Sequence, residues 1–423
     1  MERVIPVVGL AVLVGLCWLL SDRRRAIDWR IPAWGLALQL LFGVIALKTP
    51  WGRGAFEAAG HGVTTLLGFA RTGAELVFGE RLMGGSLGRG ADGEPLSVGW
   101  VFAFQVLPSI LFFSALMSVL YHLRVLEVVV RGIGTALRRV MNVSGAEAFS
   151  AAANIFVGQT EAPFVIRPFL PRMTRSEVFC VMTGGFATVA GGVMAAYIGM
   201  FHAQNPAFAA KFAGHLIAAS LMSAPAALVC AKLMRPETEE PVTRGATKIV
   251  MERPARNVVD AAVTGTRDGL VLAVNVGAML IAFTALIALL NAALGGVGGW
   301  FGQSGWSLEG ALGVVFKPLA WLMGAPWDEA GRVGELVGVK TVMNEYIAYQ
   351  RLAPMTDLSE RSLVVATYAL CGFSNFASIA IQVGGIGALV PEQRETLARN
   401  GLPAMVAGSI ACFMTACVAA LLL

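Results

Sequence analysis

Charge is what this sequence has least of. Only 14% of its 423 residues are Asp, Glu, Lys or Arg, whereas 56% are apolar and the mean hydropathy is +0.69. A soluble domain is about a quarter charged. The few charges fall in short stretches between long uncharged runs, which excludes one large soluble core and points to membrane spans. Histidine is sparse and scattered, at His61, His122, His202 and His215, with no HExxH or other metal spacing. Cys17, Cys180, Cys230, Cys371, Cys412 and Cys417 all lie in apolar stretches and form no CxxC pair, so they read as packing residues and not as a disulfide framework or zinc site. No P-loop is present, hence no sign of ATP-driven work on this chain, and no Ser/His/Asp arrangement is legible. Gly88-Arg89-Gly90-Ala91-Asp92-Gly93 matches a dinucleotide fingerprint literally, but it follows no predicted strand and reads as a Gly-rich loop. The pI near 9.0 arises from basic residues in short loops, which fits membrane topology better than nucleic-acid binding.

What is present is a series of apolar runs. Crossing the hydrocarbon takes about 20 apolar residues. Eight runs fit: 4–20, 31–47, 98–121, 178–201, 212–231, 270–294, 362–390 and 401–423. The first is followed by Arg23-Arg24-Arg25 without a small-residue cleavage site, so it is expected to be a retained helix. Basic residues follow spans one and three, precede span four and fill the loop 232–257. With eight spans these loops share one face, which the positive-inside rule makes cytoplasmic, leaving both termini outside. The segments 48–95 and 122–142 are expected to carry amphipathic helices at the interface.

Two apolar segments do not read as spans. The stretch 147–167 holds Asn154, Gly158, Gln159, Thr160, Glu161 and Pro163 at its middle. A straight span would put a carboxylate at the bilayer centre, at about 2.5–3.5 kcal/mol on insertion scales. Gly158 and Pro163 break the helix there, and basic residues flank both ends. A re-entrant hairpin from the cytoplasm accounts for all of this, with Thr160 able to cap the returning half-helix and Glu161 at its positive end. Broken backbone at such depth is tolerated only inside protein or along a cavity. The second segment, 335–351, is too short to span with Lys340 and Glu345 inside it, and breaks at Asn344-Glu345. By the span count it enters from outside.

The two segments belong to a repeat. Leu170, Met173, Thr174, Ser176 and Glu177 follow the first, whereas Leu352, Met355, Thr356, Ser359 and Glu360 follow the second with one residue inserted. Each series leads into a run with a Gly-Phe pair, Gly185-Phe186 or Gly372-Phe373, and with small or polar interruptions. The copies start from opposite faces, and inverted repeats with discontinuous helices point to a secondary transporter with a midplane site. The organisation expected is 1–142 as scaffold helices, 143–235 as the first repeat, 236–330 as cytoplasmic loop, sixth span and external segment, and 331–423 as the second repeat. A lone intramembrane glutamate can also be a packing residue, Asn375 and Ser378 can be interhelical hydrogen bonds, and Thr188 can back-bond its own helix. A channel or a membrane-embedded enzyme would share the same spans.

Gly158-Gln159-Thr160-Glu161-Ala162-Pro163, Asn344-Glu345 and Gly372-Phe373-Ser374-Asn375-Phe376-Ala377-Ser378 together resemble the concentrative nucleoside transporters, across almost the whole chain. The resemblance implies an all-α polytopic membrane protein of the bacterial inner membrane, with eight transmembrane helices, two re-entrant hairpins and a homotrimeric assembly. It also implies import of a uridine-like nucleoside across the lipid bilayer, with no nucleic-acid partner, enzyme activity or organic cofactor. Carried over by motif, Gln159, Thr160 and Glu161 would meet the nucleobase, Val193 would pack on it, and Glu345, Asn375 and Ser378 would hold the ribose beside Phe373. The coupling ion implied is sodium, on the Asn154 side chain, the Val157 carbonyl, the Thr188 hydroxyl and the Val189 carbonyl; a proton is the alternative. Thr188 departs from the serine expected there, and Tyr346 stands where phenylalanine is usual.

Overall fold

The computed structural model describes residues 3–83, 86–89, 95–97, 101–244, 255–303 and 305–423. Helix α1 (Val4–Leu19) and helix α2 (Arg30–Lys48) take the first two apolar runs. Helix α3 (Pro50–Phe78) begins where Thr49 accepts a hydrogen bond from the Gly52 amide at 3.1 Å, with Pro50 in the first turn. Two short strands, β1 (Ser86–Arg89) and β2 (Pro95–Ser97), pair antiparallel. Gly88 and Arg89 of the glycine-rich segment thus lie in a strand, and its remaining residues fall outside the described chain.

Helices α4 (Phe102–Gln105) and α5 (Leu107–His122) make the third run, restarted after Val106 with Pro108 in the new first turn. Helix α6 (Val125–Met141) buries Leu126, Val130, Gly134, Leu137 and Met141, a one-sided stripe at helical spacing, as the amphipathic reading requires.

The first hairpin descends through α7 (Gly145–Asn154) and turns at 155–161. Its return arm is not the half-helix expected with Thr160 as cap. It consists of two 3-10 turns, Ala162–Ile166 and Leu170–Arg172, and no side chain caps the first. Pro163, Pro168 and Pro171 explain the difference, because each removes an amide that an α-helical ladder would need. Beyond it, α8 (Arg175–Ala187) opens on a capping box of Thr174 with Glu177. Helix α9 (Gly191–Gln204) continues the fourth run after a break, and α10 (Pro206–Met234) makes the fifth. At the base of the hairpin, buried Lys232 of α10 is ion-paired with Glu147 of α7 and lies 2.8 Å from the Ser176 hydroxyl.

Helix α11 (Val258–Trp300) runs for 43 residues, about 65 Å at 1.5 Å per residue. It therefore extends well past the expected span 270–294. Helix α12 (Leu308–Leu322) lies where only an external segment was expected. It packs along α13 (Ala330–Val342), which with α14 (Glu345–Leu352) forms the second hairpin. Helices α15 (Glu360–Leu370) and α16 (Phe376–Leu389) are the two halves of the seventh run, and α17 (Arg394–Leu422) is the eighth.

Among the described residues, five helical stretches are long and apolar enough to cross a membrane: Arg30–Lys48, Phe102–His122, Arg175–His202, Lys211–Met234 and Pro391–Leu422. Shorter apolar helices at Val4–Leu19, Thr284–Trp300 and Phe376–Leu389 stand at the other three expected runs.

The core centres on α17, which is buried over most of its length and packs on α8, α10, α15, α16, α1 and α2. Two broken helices cross beside it. Gly372 has φ +104, and a Cβ there would lie 2.6 Å from the Phe186 carbonyl oxygen and 2.8 Å from the Ala187 carbonyl carbon. Gly408 of α17 faces the Phe186 side chain with no room for a methyl, and the Cys412 thiol donates to the carbonyls of Ala187 and Cys371. Only glycine satisfies both the positive φ and the close approach at 372. Gly372→Ala should therefore destabilise the fold by at least about 2 kcal/mol, from φ strain plus the backbone clash. Thermal melting of the purified protein in detergent checks this, and an unchanged melting temperature would refute the tight crossing.

Candidate functional site

The site is built where four chain breaks meet: the two hairpin tips and the unwound centres of the fourth and seventh runs. In the first repeat the tip lies against the break between α8 and α9. The Gly191 amide donates to the Phe156 carbonyl at 3.0 Å, and a Cβ on Gly158 would come within 3.1 Å of the Ala190 methyl. Asn154 ends α7, is 1% exposed, and donates through Nδ2 to the Ser150 carbonyl at 3.1 Å. That bond fixes the amide, and its Oδ1 is buried with no hydrogen-bond partner. A Cβ on Gly184 would lie 3.3 Å from Asn154 Nδ2, which sets this side chain against α8.

Thr188 does back-bond, its hydroxyl donating to the Gly184 carbonyl at 2.9 Å. Donation spends the proton and leaves the oxygen lone pairs available. Among the described residues neither the Val157 nor the Val189 carbonyl accepts a backbone hydrogen bond. An orphaned buried polar oxygen is costly unless something satisfies it. The donors gathered at this tip are hard oxygens, the chemistry that a sodium ion takes, so the residues present fit the ion.

Gln159 sits deeper, 6% exposed, and its Oε1 accepts from Gln382 Nε2 at 3.0 Å. Gln382 also donates to the Met182 carbonyl at 3.1 Å, bridging α16 to α8. Thr160 is partly buried against Gly385 of α16, and Glu161 is exposed with its carboxylate turned back over Gly158. These three tip residues thus differ in exposure, with Gln159 tied to Gln382, and Thr160 and Glu161 hydrogen-bonded to each other.

In the second repeat Asn344 caps α14, its Oδ1 accepting from the Ile347 amide at 2.9 Å. This places Glu345 in the first turn, where the helix dipole favours a carboxylate. Glu345 is 4% exposed, and its two oxygens accept from the Tyr197 hydroxyl at 2.8 Å and from Asn375 Nδ2 at 2.9 Å. Asn375 in turn caps α16, accepting from the Ser378 amide at 2.9 Å. Glu345, Asn375 and Ser378 are therefore one bonded cluster. A carboxylate has about four lone-pair sites, so Glu345 retains capacity for ligand hydroxyls. Val193 lies one helical turn before Tyr197 on α9, hence on the same face. Phe373 is partly buried in the unwound segment.

Reasoning from sequence missed Tyr197, Gln382 and the structural role of Lys340. Gln382 had a usable signal, being a polar residue in an uncharged run. Tyr197 had none, because a tyrosine in an apolar helix is ordinary. Tyr346 is buried between Phe102 and Tyr197, with ring centroids 4.9 and 5.9 Å away, and its hydroxyl has no partner. The Tyr346 ring therefore packs on Tyr197, whose hydroxyl donates to Glu345.

Comparison with known proteins agrees with this fold. Residues 8–81 match a model of the Na+ dependent nucleoside transporter N-terminus, 215–420 its C-terminus, and 103–204 a "Gate" model described as nucleoside recognition. The nucleoside permease NupC of Helicobacter pylori is 39% identical, over 98% of this chain and 96% of its own. Sodium/nucleoside cotransporter 1 of Mus musculus is 38% identical over all of this chain, which spans 64% of that longer protein. The structure of CNTnw in an inward-facing substrate-bound state superimposes with a TM-score of 0.90 at 41% identity, covering 100% of this chain and 98% of that one. The family moves nucleosides through a membrane and is not a family of enzymes. With its broken helices, paired hairpin tips and whole-length similarity, the chain belongs to the Na+ dependent nucleoside transporters.

Proposed function

We propose that this chain is a sodium-coupled nucleoside importer of the bacterial inner membrane, working as a homotrimer with both termini on the periplasmic side. Sodium is cargo, held by Asn154, Val157, Thr188 and Val189. The nucleobase meets Gln159, Thr160 and Glu161 and packs on Val193. The ribose hydroxyls meet Glu345, Asn375 and Ser378 beside Phe373.

The observation that supports this reading most is the Asn154 Oδ1, buried without a hydrogen-bond partner at the first hairpin tip, where neither the Val157 nor the Val189 carbonyl accepts a backbone hydrogen bond. Glu345 supports the ribose assignment, since an ionised carboxylate takes O–H donors strongly and vicinal diols offer two of them. The trimer rests on family resemblance. The apolar side chains exposed along α11, among them Val259, Val263, Val274, Ile281 and Leu289, suit lipid or a neighbouring copy.

The test is uptake of labelled uridine into proteoliposomes. An inward sodium gradient should concentrate uridine, and collapsing that gradient should stop accumulation. Accumulation driven only by a proton gradient would replace the ion. Equilibration without concentration would indicate a channel, and chemically altered uridine an enzyme.

A further inference from the structure

The two halves of the site are not equivalent in charge. In the first repeat, 145–166 contains no Lys, Arg or His, and its tip carries the unpartnered Asn154 oxygen. In the second repeat the corresponding hairpin carries Lys340, in the last turn of α13 and 1% exposed. Its ammonium donates to the Ala369 carbonyl at 3.0 Å and the Cys371 carbonyl at 3.3 Å. These carbonyls are the frayed C-terminal end of α15, just as Thr188 and Val189 follow the end of α8. Among the described residues no carboxylate lies within ion-pair distance of Lys340; its ammonium is held by helix-end carbonyls, with the Glu345 carboxylate near enough to act on it electrostatically. Aligned on the tip glutamates, Glu161 and Glu345, the first-repeat counterpart of Lys340 is Phe156.

An unpaired buried ammonium is expensive. A helix C-terminus with open carbonyls carries about half a negative charge, and a break at this depth exposes such an end twice. We propose that Lys340 is a built-in cation: its tethered ammonium does permanently, at the second break, what the mobile coupling ion does at the first. The second half-site, with its Glu345–Asn375 cluster, then needs no mobile ion, and only one ion has to enter per cycle. This rests on the sodium-coupled reading above. Lys340 is thus a positioning residue that acts through the α15–α16 break and Glu345, without itself touching the nucleoside.

The test has a flux arm and a binding arm. Sodium and uridine fluxes measured together in proteoliposomes of the unaltered protein should give one ion per uridine. Two ions per uridine overturns the proposal alone, whereas no sodium-driven uptake overturns the coupling reading and the proposal with it. In the binding arm, uridine titration of purified protein compares Lys340→Met, which keeps the side-chain length without charge, with Lys340→Ala. A built-in cation requires both to lose at least tenfold in uridine affinity, and methylammonium, but not choline, to restore Lys340→Ala. Near-native affinity in Lys340→Met would mean that the side chain merely fills space, and overturns the proposal. If neither variant folds, the ion-to-uridine ratio decides it.

Discussion

Replacing Glu345 with glutamine should weaken uridine binding about 100-fold. Hydrogen bonds to a charged group contribute about 1.5–3 kcal/mol each, and a ribose offering two hydroxyls loses charge assistance on both. About 3 kcal/mol corresponds to roughly two decades in affinity. The local geometry adds to the loss. Asn375 presents Nδ2 to Glu345 because its Oδ1 is held by the Ser378 amide, so it cannot turn to suit a glutamine NH2. The Tyr197 hydroxyl retains an acceptor in the variant, and the fold should persist with a modest loss of melting temperature. Titration calorimetry with uridine at saturating sodium measures the effect. Uridine affinity within threefold of the unaltered protein would remove Glu345 from the site.

The second large effect is expected at Asn154. Asn154→Ala deletes a side-chain oxygen that is buried without a partner at the end of α7. Sodium affinity should fall at least tenfold, and because coupling between two ligands is reciprocal, uridine affinity should lose its dependence on sodium concentration. Adding Thr188→Ala removes a second oxygen and deepens the loss. The double variant is also informative structurally, since the Thr188 hydroxyl is bonded to Gly184; removing it should leave α8 intact, as back-bonding contributes little to a helix. Uridine uptake that remains sodium-dependent in the double variant would place the ion elsewhere.

Much of the architecture was legible because the bilayer imposes it. A carboxylate such as Glu161 or Glu345 in an apolar run demands an explanation, and a break was the available one. Asn375 and Glu345 are brought together in the sequence only by the family resemblance, and the hydrogen bond between them is visible only in the fold. Less legible were features whose cause is long-range. Helix α12 carries Glu309, Lys317 and Pro318, so its sequence resembles an exposed linker until α13 is seen packed along it. The 3-10 return arm is hard to see in the sequence because one proline, Pro163, suffices for a break, whereas only the set of Pro163, Pro168 and Pro171 rules out an α-helical return. In the sequence Lys340 is only an obstacle to spanning, because the carbonyls that hold it come from residues 29 and 31 positions further along the chain.

The crossing of the two broken helices has a mechanical consequence. Gly372 lies against the Phe186–Ala187 peptide, and the Cys412 thiol touches the loose ends of both helices. A gate that swung open at one tip while the other stayed shut would have to slide these peptide groups apart in a region without water to receive them. Letting both hairpins and both helix breaks travel as one rigid body avoids that rupture. Ion and nucleoside would then ride in a single carriage, and a partly loaded protein that opened one door at a time should not be found among its intermediates.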